Sequence, residues 1–154
     1  MQGENRNMNL KILCCILVAT SALVLVSCVG SGKITWNDNE QKIYNSFVQV
    51  EQKTSEIFGS ITKNNEKKPS ELSKPVWDWA EYKNSQLSET YKEWRMSAGK
   101  AIEDKAMLMR STTADPQHET LEGKMQFETE HMAKIKDKIV QMVEKIKKGE
   151  DPGK

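Results

Sequence analysis

From Leu121 to Ile146 a row of side chains recurs at alternating spacings of four and three: Leu121, Met125, Glu128, Met132, Ile135, Ile139, Met142 and Ile146. All but Glu128 are apolar. That period draws one stripe along an α-helix and no face along a strand. Two earlier stretches repeat the pattern, one through Ile43, Phe47, Val50, Thr54, Ile57 and Ile61, the other through Val76, Ala80, Leu87, Tyr91, Trp94, Ala98, Ile102 and Ala106, with Asn84 as a polar interruption. No segment of any length alternates apolar and polar residues. An all-α fold is therefore predicted, with helices over 38–62, 75–110 and 116–148, a bundle spanning 38–149 and a short tail at 150–154. Helices with a single apolar stripe satisfy themselves by packing stripe on stripe, which predicts an antiparallel three-helix bundle in up-down-up order. The competing arrangement is a self-associating coiled coil, which the same heptads permit.

Local signals agree with these limits. Asp38 and Gln41 read as a capping box, Pro75 as the opening of the second helix, and Asp115 with Pro116 as the N-cap and first position of the third. Lys145, Lys147 and Lys148 complement the dipole at the end of that helix, and Gly149 and Pro152 stop it. The polar stretches Asn64–Lys74 and Ser111–Gln117 read as loops. Gly99, inside the second helix, marks either a kink or a close helix crossing.

Upstream of the helices, the 18 residues from Ile12 to Val29 contain no charged side chain. Lys11 and Arg6 precede the run, and Leu25-Val26-Ser27-Cys28 stands at its end. This is the pattern of a bacterial lipobox. Residues 1–27 then form a cleaved signal peptide, the Cys28 thiol carries a diacylglycerol, and 28–37, with Gly30-Ser31-Gly32, is a flexible tether. Met8 offers an alternative start giving a more usual leader than one that includes Glu4. The competing reading is an uncleaved anchor, since such a run just reaches the length that spans a bilayer.

Cysteine usage follows this division. Cys14 and Cys15 fall in the signal and Cys28 takes the lipid, so the mature chain keeps no thiol for a disulfide, a thiolate metal site or nucleophilic catalysis. Removing Arg6, Lys11 and Glu4 from the 23 basic and 22 acidic residues leaves 21 of each, and bulk charge names no partner.

Catalytic motifs are equally sparse. No H-E-x-x-H, G-x-S-x-G, P-loop or Rossmann pattern occurs, which argues against an enzyme. Glu128 and His131 have the E-x-x-H spacing of helical metal sites, but a di-iron bundle needs a second such pair and further inward glutamates. No metal or cofactor is expected beyond the covalent lipid. The aromatic residues point instead to binding. Trp77 and Trp79 are two residues apart, so a helix turns them about 200° from each other and at least one should be exposed. The last helix carries Lys134, Lys136, Lys138, Lys145, Lys147 and Lys148, diluted by Asp137 and Glu144. Trp77, Trp79, Lys134, Lys138 and Lys145 are therefore the candidate partner-binding residues. A host protein, a glycosaminoglycan or an anionic membrane fits such a surface; an exported protein gives little reason to expect nucleic acid.

The leader from Met8, the permissive lipobox at Leu25–Cys28 and the small Lys-, Glu- and Asn-rich helical body resemble the surface lipoproteins of Borrelia-type spirochaetes. The resemblance implies display on the outer membrane, as a helical body that binds host or matrix components. It carries over one residue, Cys28, as the lipid attachment point. The alternative is a periplasmic, envelope-associated structural lipoprotein without a host ligand.

Overall fold

The computed structural model describes residues 35–78 and 82–153. Cys28, the apolar run before it and Trp79 lie outside the described residues. Within them the chain is all-helical, with four helices and no strand: α1 (Asp38–Ser60), α2 (Pro69–Trp77), α3 (Gln86–Arg110) and α4 (His118–Lys147). Among the described residues no helix is long and apolar enough to cross a membrane.

Each start has a local cause. Asn37, rather than Asp38, caps α1: its side-chain oxygen accepts from the Asn39 and Glu40 N–H groups at 2.9 and 3.1 Å, while the Gln41 side chain accepts from the Trp36 indole. Pro69 opens α2, where its missing N–H has no intrahelical partner to lose. Ser85 and Ser88 cap α3 reciprocally, each hydroxyl accepting the other's backbone N–H. α4 begins two residues later than the spacing suggested, after the Asp115 carboxylate accepts from the Gln117 N–H. It ends in a Schellman turn with Gly149 at φ 75°. There Glu150 N–H reaches the Lys145 carbonyl and Gly149 N–H the Ile146 carbonyl.

Side-chain contacts fix the helix directions. Asn39 bonds the Lys83 backbone, Ser46 meets Tyr91, and Lys105 donates to the Phe58 carbonyl, so α1 and α3 run parallel. Thr90 meets Met142, Ser97 meets His131 and Lys100 meets Glu128, so α4 runs antiparallel to α3. Ser73 meets Glu103 and Arg95 donates to the Val76 carbonyl, which sets α2 antiparallel to α3 as well. The up-down-up order of three helices is thus corrected. α2 is an additional stroke, so the down-strokes are α2 and α4 and the up-strokes α1 and α3.

The expected helix over 75–110 is two helices, and part of the loop Asn64–Lys74 is helical. A continuous helix would carry Leu72 and Val76 away from the body. Folded back, α2 buries both against α3, and Pro75 sits near its end with only one internal bond forfeited. Tertiary burial outweighs a continuous local pattern here.

Apart from Ala80, which is not described, the predicted stripes are inward. Ile43, Phe47, Ile61, Leu87, Tyr91, Trp94, Ala98, Ile102 and Ala106 are buried, with Ile135, Ile139, Met142 and Ile146 of α4. Leu121, Met125, Glu128 and Met132 are only half-buried. The side-chain ties from α4 to α1 at Lys136 and Lys147 fall in its second half, and α3 is the helix that α4 mainly packs on.

Three cations of α3 hold the other elements by their carbonyls. The buried Arg95 guanidinium donates to Val76 at 2.6 Å and to Asp78, closing the C-terminus of α2. Lys105 donates to the Phe58 carbonyl and lies 4.0 Å from the Phe58 ring centroid, and burial holds its ammonium pKa below the usual value. Arg110 reaches the Asn65 and Lys67 carbonyls in the loop that follows α1. Each places positive charge where a helix or turn presents unpaired carbonyls.

Candidate interaction surface

Trp77 is the last residue of α2 and 40 % exposed. Its indole lies flat on α3 at Gly99. A β-carbon built there would stand 2.5 Å from the Trp77 ring, so Gly99 marks a close crossing rather than a kink. The indole N–H donates to Ser73 Oγ at 3.0 Å and to Glu103 Oε1 at 3.3 Å, and Ser73 also donates to Glu103. One face of the ring is therefore fixed by packing and hydrogen bonds while the other meets solvent.

Further exposed apolar side chains adjoin it. Met96 and Met107, 45 and 39 % exposed, share with Lys100 and Glu103 a row on α3 spaced four, three and four residues apart. Across that row stands Phe127 of α4, 64 % exposed. Lys100, Glu103, Asp104, Gly123, Lys124, Phe127 and Glu128 line an open recess of about 460 Å³ between α3 and α4. Four of the six exposed large hydrophobic side chains among the described residues thus border one face, flanked by α2 and α4.

Sequence reasoning found Trp77 but not Met96, Met107, Glu103 or Phe127. The signal was present as apolar residues standing off the core stripes at helical spacing. What was absent was the fold-back of α2, which brings Trp77 to Gly99 instead of leaving it beyond the end of α3.

The lysines of α4 divide. Lys136 pairs with Glu51 of α1 at 2.7 Å. Lys147 lies over the Trp36 and Tyr44 rings, 4.8 and 5.5 Å from their centroids, as a cation–π contact tying the helix end to α1. Lys134 and Lys138 are exposed, and Lys145, on the same helical face, is half-buried.

Glu128 and His131 do not converge. Glu128 pairs with Lys100 at 3.6 Å, while His131 has Ser97 Oγ at 3.0 Å on Nδ1 and Glu93 at 3.5 Å on Nε2. The Ser97–His131–Glu93 order is that of a hydrolytic triad, but Ser97 is buried in mid-helix, where the surrounding N–H groups are already bonded and leave no oxyanion donors. The contact reads as an interhelical tie. Among the described residues no group of three or more His, Cys, Asp or Glu side chains is placed to hold a metal ion.

Gly99→Ala should push the indole outward and break its bonds to Ser73 and Glu103. The helix gain of about 1 kcal/mol offsets the loss of one or two such bonds, so overall stability should change little. The readout is the Trp77 indole N–H resonance, which should move toward a solvated position. An unmoved resonance would contradict the close crossing.

Comparison with known proteins finds no matching family model, no matching curated protein and no matching solved structure.

Proposed function

We propose that this chain is a lipid-anchored bacterial surface protein whose helical body binds a host or matrix macromolecule without catalysing a reaction. In this reading Cys28 carries the diacylglycerol, residues 28–37 space the body from the outer membrane, and the Trp77 face meets the partner. Its closest support is the gathering of Trp77, Met96, Met107 and Phe127 on one face, with the Trp77 ring already held in place. Aromatic and methionine side chains supply contact area at protein interfaces, and a ring immobilised before binding loses little further entropy. The outward Lys134 and Lys138, with Lys145, would add contacts to an anionic chain such as a glycosaminoglycan. The three long helices around one core serve as the rigid presenting body.

Two measurements test the reading. Cys28→Ser should abolish acyl labelling and leave an unprocessed precursor; labelling that persists would remove the anchor. Protease added to intact cells should degrade the protein while a periplasmic control survives. Protection until the outer membrane is permeabilised would instead favour the envelope-structural alternative.

A further inference from the structure

The open recess beside Trp77 is not neutral. Glu103, Asp104 and Glu128 line it with only Lys100 and Lys124 to oppose them. Lys100 is engaged by Glu128. Glu103 is held by two neutral donors, the Ser73 hydroxyl and the Trp77 indole. Burial pushes the Asp104 carboxyl above its ordinary pKa; Lys124 and Lys100 pull it down, while Glu128 and Glu103 push it further up. Negative charge is therefore left over at the floor of the recess. Its wall is the exposed Phe127 ring, which stacks on His131 with centroids 5.9 Å apart and whose π-system attracts a cation. Apolar side chains border these charges, with Met96 and Met107 at opposite ends of the Lys100–Glu103 row and Trp77 against Glu103.

We propose that this face receives a basic, amphipathic peptide segment of a partner protein. A lysine or arginine side chain enters between the Phe127 ring and the Glu103 and Asp104 carboxylates, and its apolar neighbours lie on Trp77, Met96 and Met107. The inference rests on the interaction reading above and adds the chemistry of the partner. An acidic segment would meet the same carboxylates as like charges, at a cost that discriminates against it. A cation would neutralise the residual charge where burial already disfavours it.

The test uses the full chain in neutral phosphatidylcholine nanodiscs, with empty nanodiscs as the blank. Its probes are a short amphipathic Leu/Lys peptide and the same peptide with Glu for each Lys. The basic peptide should bind with an affinity that falls as salt rises, and the acidic one should bind at least about tenfold more weakly, the size of one charge-assisted contact. Glu103→Gln with Asp104→Asn should weaken the basic peptide by a similar factor. These amides keep the acceptor for Ser73 and Trp77, so the fold and the indole position stay intact. Phe127→Ser, at an exposed position, should weaken it as well. Equal binding of both peptides, lost together in Phe127→Ser, would overturn the charge preference and leave the docking face standing. Binding of the basic peptide that ignores all three substitutions would overturn the site. A dimer detected by sedimentation and dispersed by the Glu103 and Asp104 substitutions would overturn the peptide in favour of a second copy of the chain. Absence of binding by either peptide would overturn the inference, while surface display would still be decided by the protease experiment.

Discussion

Trp94→Ala should lower the free energy of unfolding by about 3–5 kcal/mol, the cost of removing a fully enclosed aromatic side chain and leaving a cavity. Trp94 is 1 % exposed and packs edge-on against Phe47 of α1, with ring centroids 5.1 Å apart, and stacks on Tyr91 at 6.4 Å. Phe47 in turn meets Tyr91 edge-on at 5.9 Å. The substitution therefore opens the junction between α1 and α3 rather than a rim. Against a typical total of about 5–15 kcal/mol, the loss should appear as a fall in Tm of roughly 10–20 °C. Trp94→Phe should be far milder. The Trp94 indole nitrogen is buried without a hydrogen-bond partner among the described residues, so phenylalanine removes an unsatisfied donor while filling part of the space. Thermal unfolding of both variants checks the pair; equal damage would mean that the indole N–H contributes a contact after all.

Arg95→Lys should destabilise by about 2 kcal/mol, although the charge is kept. The guanidinium serves two carbonyls at once, Val76 and Asp78, and its central carbon lies 5.5 Å from the Tyr91 ring centroid. An ammonium is a compact point charge without the planar fork that matches this arrangement, and one of the two carbonyls would be left wanting. The damage should be local first. Hydrogen exchange in α2 should quicken while the α3–α4 amides keep their protection, because α4 meets α3 at Thr90, Ser97 and Lys100, on the opposite face of that helix from Arg95. Release of α2 would also free Trp77 from Gly99, so the same variant should lose peptide binding. Uniform loss of protection across all helices would show that Arg95 supports the whole core instead of one helix.

Three cations of α3, Arg95, Lys105 and Arg110, look in the sequence like members of a solvated helix face. Their roles as carbonyl clamps depend on elements up to 47 residues away in the chain, and no local pattern encodes that separation. The same limit explains the second helix. The row Val76–Ala80–Leu87 continues at helical spacing, interrupted only by Asn84, and the Ser85–Ser88 cap that starts a new helix follows directly after it. Trp77 could be named as a binding candidate from its neighbour Trp79, yet the companions that make it a surface, Met96, Met107 and Phe127, come from two other helices. Lys136 and Lys147 belonged by sequence to a basic cluster. Their positions turn them toward α1, where Glu51 and the rings of Trp36 and Tyr44 take them up.

Helical periodicity, the inward stripes and the Gly149 stop were determined by the sequence itself, because each depends on residues within a few turns of one another and on burial of one face. Parallel α1 and α3, the fold-back of α2, the crossing at Gly99 and the assembly of Trp77, Glu103 and Phe127 were decided only by tertiary structure. Those features arise where separate helices compete to cover the same apolar surface, and that competition is settled by packing between segments distant in the chain.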